Sequence, residues 1–204
     1  VAKRIQSVLT DEIHHRMKNM LTMVTAIVRQ SMRSATSLAG AEHAISTRLI
    51  AMARAHDLLL KADLKSADLK SVIQDAVAQH SSTADCITVT GEELQVMPSA
   101  ILPLTPILNE LCTNATKYGA LSRASGSVAL TWREDAVSDA FVLHWVERGG
   151  TPVAPPGNKS FGSRLLEEAM PRQLGGFACL TYPPSGAEFC LTIPMEKLRP
   201  VALA

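Results

Sequence analysis

No charge of one sign dominates this 204-residue sequence: 20 Lys and Arg stand against 19 Asp and Glu, for a formal net charge of +1. That near-balance gives no reason to invoke nucleic acid or an anionic membrane surface as a partner. Cysteine is sparse. Cys86, Cys112, Cys179 and Cys190 form no CxxC pair, so neither a zinc site nor a dithiol redox motif is indicated, and reduced thiols in a cytoplasmic protein are expected. No apolar run is long enough to span a bilayer, and no secretory signal opens the chain. Neither a Walker A pattern nor GxGxxG occurs, which leaves a P-loop or dinucleotide fold without support. Proline is missing before Pro98, so nothing forces an early helix break. Internal repeats and low-complexity tracts are absent too.

What is present is a 47% hydrophobic fraction laid out in two periodicities. Ile13, Met17, Met20, Leu21, Val24, Ile27 and Val28 recur at spacings of three and four and predict one long amphipathic helix over 3–33. Residues 34–40 are rich in Ser, Thr and Ala, end in Gly40 and read as a turn. A second helix is expected over 41–62, with Ile45, Leu49, Met52, Ala53 and Leu59 on one stripe. Two long helices with a short connection favour an antiparallel hairpin, whose remaining apolar stripe needs cover from a second copy or from the following domain.

Beyond about residue 65 the pattern changes. A short helix is expected over 68–80 and short strands over 87–90 and 94–97. A longer helix ends at Tyr118. It starts either with Thr105 capping and Pro106 in the first turn or at Ser99 with a later kink, and Gly119 stops it. Strands follow over 127–133 and 140–147, then a Gly/Pro-rich loop over 149–159, a helix over 161–174 stopped by Gly175-Gly176, and closing strands over 177–182 and 187–194. Helices interspersed with mostly antiparallel strands predict an α+β protein: a helical hairpin over 1–64 and a two-layer α/β sandwich over 65–204.

Three groups of residues carry chemistry. At ~100° per residue, His15 falls about 200° from both Ile13 and Met17 and so faces away from the apolar stripe. Glu12 and Asn19 share its face. A neutral imidazole is a competent nucleophile, and Glu12 can hold one ring nitrogen while the other attacks. His14 lies nearer the packed side. His43, His56, His80 and His144 have no such companions and read as structural or surface residues. In the second group, Glu110, Asn114 and Lys117 form one polar line at i, i+4 and i+7 beside the apolar Ile107, Leu108 and Leu111. Asn114 offers a hard oxygen for Mg²⁺, Lys117 neutralises phosphate, and Glu110 orients or deprotonates an attacking group or assists the metal. In the third, Glu147 closes a strand ahead of Gly149 and Gly150 and suits an exocyclic amine such as that of adenine. Phe161-Gly162-Ser163-Arg164 opens a helix, where free N–H groups suit phosphates.

Taken in order, these segments resemble the HWE/HisKA_2 group of bacterial sensor histidine kinases over nearly the whole chain. His15-Arg16-Met17-Lys18-Asn19 resembles the HRxxN phosphoacceptor motif. Glu110 to Ser122 resembles the N box, Trp145-Val146-Glu147 with Gly149-Gly150 the W-x-E segment, and Phe161-Gly162-Ser163-Arg164-Leu165 the second glycine box. The resemblance implies a GHKL (Bergerat) ATP-binding sandwich after a dimeric phosphotransfer hairpin. It also implies Mg²⁺–ATP bound with Tyr118 among the nucleotide contacts, autophosphorylation of His15, and transfer to an aspartate of a response-regulator receiver domain. Asn19 would help to position water for the reverse, dephosphorylating reaction. An upstream sensor domain would lie outside this sequence. The alternative is a histidine phosphotransferase or phosphatase-dominant homologue with weak or no ATP use. Two positions depart from the pattern: Asn109 replaces the histidine at the start of the N box, and Ser160 replaces the glycine before Phe161. Asn109 hydrogen-bonds but does not titrate near neutral pH.

Overall fold

The computed structural model describes residues 66–78, 80, 84–150 and 161–199, together with positions 21, 24–25, 27–29, 31–32, 35, 37–42, 45–46, 49–50 and 53. The chain divides into two compact units, Val1–Ala53 and Arg54–Ala204, and each is described by itself.

In the first unit, every described residue between 21 and 32 and between 38 and 53 is helical. The second of these helices starts earlier than the turn-like composition of 34–40 suggests. Ser37 Oγ accepts the Gly40 N–H at 3.1 Å, and Ser37 O accepts the Ala41 N–H at 3.0 Å. Ser37 is therefore the N-cap, and Gly40 belongs to the first helical turn. Ile27, Ser31 and Ala41 are buried, whereas Leu21, Met32, Leu38 and Ile50 are exposed. Leu21, which its spacing puts on the apolar stripe, is thus uncovered within this chain.

Among the described residues of the second unit, the first elements are β1 (Ala67–Asp68) and α1 (Leu69–Ala78). Asp68 caps α1, because its Oδ2 accepts the Ser71 N–H at 2.9 Å and the Ser71 hydroxyl at 2.8 Å. These bonds hold the Asp68 carboxyl below its ordinary value. Leu69, Val72, Ile73, Ala76 and Val77 form the buried side of the helix. Strands β2 (Ile87–Gly91) and β3 (Gln95–Val96) follow, and β3 pairs antiparallel with β1.

Next comes α2 (Pro98–Lys117). It starts at Pro98, ahead of both expected starts, with Pro103 and Pro106 inside it. Pro98 in the first turn has no N–H to lose. The two inner prolines withdraw donors from the carbonyls of Ser99 and Leu102, which are exposed and half-exposed residues, so those carbonyls can be hydrated. Thr105 is no cap: its hydroxyl donates to Ile101 O at 2.9 Å inside the helix.

The remaining elements are β4 (Ser127–Asp135), β5 (Ala140–Arg148), a helix α3, β6 (Phe177–Thr181) and β7 (Glu188–Pro194). Helix α3 runs through Phe161–Arg164, Leu165–Ala169 and Met170–Gln173, and its middle segment is π-helical. There the Met170 N–H reaches back five residues to Leu165 O. Pro171 gives the physical reason: with no N–H and a ring that crowds the carbonyl four residues earlier, it favours a widened preceding turn.

The main sheet has the order β2-β4-β5-β7-β6. β2 and β4 are parallel, joined through α2 as a parallel pair requires, and every other neighbour is antiparallel. Register places Val89, Leu130, Trp145, Phe189 and Leu180 in one row, and Gly91, Trp132, Leu143, Leu191 and Ala178 in the next. The central residues of both rows are fully buried, as are Ile101, Leu104, Ile107 and Leu108 of α2. On the opposite face Thr88, Thr90, Ala129, Thr131, Arg133 and Cys179 are exposed. The unit is a two-layer α/β sandwich with one open sheet face. No helix among the described residues is long and apolar enough to cross a membrane.

Gly91 lies so close to Trp132 that a Cβ there would fall inside the indole. The ring has little freedom to yield, being 3% exposed with Nε1 donating to Glu92 O at 2.9 Å. Gly91→Ala should therefore cost roughly 1–3 kcal/mol, read as a lower melting temperature; an unchanged value would contradict this packing.

Candidate functional site

The C-terminal turns of α2 gather most of the chemistry-bearing residues of the second unit. Ile107, Leu108 and Leu111 are buried, Glu110 and Asn114 are half-buried, and Lys117 is exposed. The polar line therefore runs along the helix from its packed side to solvent. The Asn114 carbonyl accepts the N–H groups of both Tyr118 (2.8 Å) and Gly119 (3.0 Å). This closes the helix at Gly119, and a short 3₁₀ turn, Ala120–Ser122, follows. The Tyr118 side chain is 67% exposed.

Glu147 anchors this turn. Register puts it in a row with Ile87 and Val128, so a carboxylate occupies an inward-facing position of β5. It is 3% exposed. Its Oε2 accepts the Ala120 N–H at 2.7 Å and its Oε1 accepts the Trp145 Nε1–H at 3.1 Å. Burial pushes the Glu147 carboxyl above its ordinary value, while the bonds from Ala120 and Trp145 pull the other way. Burial and the nearby Glu147 charge also push the Cys112 thiol up to about 12. A Cβ on Gly119 would overlap Glu147 Oε2, and one on Gly150 would meet Ala120 Cα at 2.5 Å. Gly149 has φ +74°, and a Cβ there would meet Ser125 O at 2.6 Å. These glycines let neighbouring protein atoms approach closely.

The first turn of α3 closes the other side. A Cβ on Gly162 would overlap Glu110 Oε1, so the Glu110 carboxylate lies against the start of α3. Gly162 and Ser163 are buried and Arg164 is exposed. The Ser163 side chain hydrogen-bonds Tyr182, whose hydroxyl burial raises above its ordinary value, with Glu167 and Glu147 pushing it the same way. Glu110 and Gly162 are thus brought together, as are Glu147, Gly119 and Gly150. Phe161 opens α3.

Glu12, His14, His15 and Asn19 lie outside the described residues, as do Ser160 and most of the Gly/Pro-rich loop. Sequence reasoning missed Tyr182 and the partner of His80. Tyr182 sits in the turn between β6 and β7, and no motif marks it. His80 hydrogen-bonds Asn109, the residue before Glu110; burial holds the imidazole below its ordinary value and the Asn109 bond opposes that. The two are 29 positions apart, so only the packing of α1 against α2 joins them. No group of three or more His, Cys, Asp or Glu residues placed to hold a metal occurs among the described residues.

Residues 12–93 match the family model described as HWE histidine kinase. The chain is 36% identical over 197 residues to a blue-light-activated histidine kinase of Brucella anthropi, covering 95% of this chain and 40% of that protein. It is 34% identical over 188 residues to that of Brucella ovis, covering 91% and 38%. The chain therefore spans about two-fifths of the length of these curated relatives. Among solved structures, it resembles the histidine kinase domain of an Erythrobacter litoralis blue-light activated histidine kinase, with TM-score 0.59, 17% identity, and coverage of 86% of this chain and 95% of that one. The longer structure of the same kinase gives TM-score 0.63, 20% identity, and coverage of 92% and 59%. At these identities the structural likeness establishes the fold.

Removing the Glu147 carboxylate leaves two inward donors without their acceptor. Glu147→Ala should cost roughly 1–3 kcal/mol for each, so stability must be measured beside any binding assay. The pH dependence has a definite sign. With its native value above the ordinary 4.5, Glu147 binds its proton more tightly folded than unfolded. Its stabilising contribution is complete below 4.5 and is lost as pH rises through the native value. Chemical denaturation of Glu147→Gln across that window should show a smaller fall in stability with pH than wild type; parallel curves would contradict the burial effect.

Proposed function

Given that this chain belongs to the HWE histidine kinase family, we propose that it uses Mg²⁺–ATP to phosphorylate His15 and passes the phosphoryl group to an aspartate of a response-regulator receiver domain. The observation that carries this reading is the convergence at the end of α2. Glu110 lies against Gly162, and Glu147 lies against Gly119. Polar and glycine residues from α2, β5 and α3, far apart in sequence, thus frame one end of the sandwich.

The residues suit a magnesium nucleotide. The half-exposed Asn114 offers an amide oxygen of the hard type that Mg²⁺ takes, with Glu110 one turn earlier as a second oxygen donor. Exposed Lys117 and Arg164 supply positive charge to phosphates. Gly162 and Ser163 lie in the first turn of α3, and a helix start favours an anionic phosphate. Glu147 is the acceptor for the adenine amine: each of its oxygens accepts one hydrogen bond, from Ala120 or Trp145, and retains a second lone pair. Gly149, Gly150, Tyr118 and Phe161 complete the nucleotide surroundings. The bound nucleotide supplies an activated phosphoryl group whose charge the metal neutralises.

His15 forms the N–P bond as the bond to the β-phosphate oxygen breaks and ADP leaves. The attacking ring nitrogen uses its lone pair, Glu12 holds the N–H of the other nitrogen and takes up its proton as the N–P bond forms, and Glu110 orients the reacting groups. Asn19 positions water when the phosphorylated partner is hydrolysed. The exposed Leu21, Met32, Leu38 and Ile50 supply an apolar surface for a second copy in a cytoplasmic homodimer. An upstream sensor segment drives the core, and the blue-light relatives make a light-sensing segment the first to test.

Incubation with γ-labelled ATP and Mg²⁺ tests the assignment. Wild type should acquire acid-labile, base-stable label, while His15→Ala and Asn114→Ala should stay at background with unchanged melting temperatures. Label retained in His15→Ala would remove the phosphoacceptor assignment. An unlabelled wild type that still binds ATP would remove the kinase reading.

A further inference from the structure

The open face of the sheet carries a feature that the nucleotide end does not use. Cys179 of β6 and Cys190 of β7 are directly opposed in the antiparallel register. Both side chains point to the open face, since their neighbours Leu191 and Phe189 face the core. Both are free thiols; Cys179 is exposed and Cys190 half-buried. Directly opposed residues of an antiparallel pair have Cα atoms about 4.5 or 5.5 Å apart. Both spacings fall inside the window of about 4.4–6.8 Å that a disulfide requires.

The other two cysteines are poorly placed to compete. Cys112 lies within α2, fully buried, with its thiol pushed up to about 12. Cys86 immediately precedes β2 on the far edge of the sheet, three strand positions from β7. At about 4.8 Å per strand that is about 14 Å, beyond the reach of a disulfide.

We propose that Cys179 and Cys190 form a modification site: a surface dithiol that a hydroperoxide converts to a cross-strand disulfide. The solvent-exposed Cys179 thiolate attacks the peroxide oxygen and becomes a sulfenic acid, while the O–O bond breaks and an alcohol, or water from hydrogen peroxide, leaves. Cys190 then attacks the Cys179 sulfur, its own proton going to the departing hydroxyl, which leaves as water. Two thiols lose two electrons and two protons, and one peroxide is reduced. The division of labour follows exposure. Burial above all, with the adjacent Cys179 adding to it, raises the Cys190 thiol above its ordinary value, so Cys190 reacts second.

The product ties β6, an edge strand of five residues, to β7 across the pair at its centre. It needs no movement of the core, because neither sulfur belongs to the buried layer. The site also stands apart from the nucleotide reading, so its test is independent of kinase activity.

The test is to treat the reduced protein with one equivalent of hydrogen peroxide, block remaining thiols by alkylation, and map peptides without reduction. The expected product has lost two hydrogens, links the Cys179 and Cys190 peptides, leaves Cys86 alkylated, and stays monomolecular when diluted. In Cys190→Ser, which lacks the resolving thiol, the link should vanish and Cys179 should be captured by a sulfenic-acid reagent. A wild type whose Cys179 proceeds to sulfinic acid, or joins another chain, without the internal link would overturn the proposal.

Discussion

The buried carboxylate of Glu147 holds together the end of the sandwich where the candidate site residues meet. It sits in a row otherwise filled by Ile87 and Val128, where an acid is costly unless its hydrogen-bonding capacity is used. Two donors use it: the Ala120 N–H at the start of the turn after α2 and the indole N–H of the fully buried Trp145. The bonds do not cancel the desolvation, since the carboxyl stays above its ordinary value. Without them, however, a helix-end N–H and an indole N–H would face an apolar wall. The surrounding sequence follows from this one contact. Gly119 must be glycine to let the oxygen in, Gly150 to let the next loop lie on Ala120, and Gly186 to pass the Glu147 carbonyl. A residue read from sequence as a ligand contact is first a structural bond between α2 and β5, and any ligand role is added to that.

The sandwich was largely legible in the sequence because its signals are local. Alternation marked β4 and β5, whose rows of Leu130, Trp132, Leu143 and Trp145 face one way. Glycines marked the ends of α2 and α3. The early start of α2 was obscured by three prolines in nine residues, Pro98, Pro103 and Pro106. They read as breakers, yet one stands where no donor is needed and the others free carbonyls that solvent can reach. The composition alone puts the start of the first unit's second helix too late, for the opposite reason. Gly40 looks like punctuation, but the Ser37 cap three residues earlier decides the boundary.

The candidate site was legible as a set of segments but not as a set of contacts. Spacing put Glu110, Asn114 and Lys117 on one line; it did not bring Glu110 against Gly162, which depends on α3 packing beside α2. The Tyr182–Ser163 and His80–Asn109 contacts cannot be read from the sequence, because each pair meets only through the fold. At the position where the resemblance calls for a histidine, Asn109 instead hydrogen-bonds the imidazole of His80, just beyond the end of α1.

The π-helical stretch Leu165–Ala169 means that α3 contains one residue more than an ordinary helical path between the same ends would use. In a regular helix, deleting one residue rotates everything beyond it by about 100° and exposes the buried side. Here a deletion inside the widened turn would convert it to α geometry while leaving Gly162 and Ser163 on one side, and Leu174 on the other, facing as they do now. The helix carries its own slack in chain length, and related sequences one residue shorter at this point can keep the same three-dimensional alignment of both its ends.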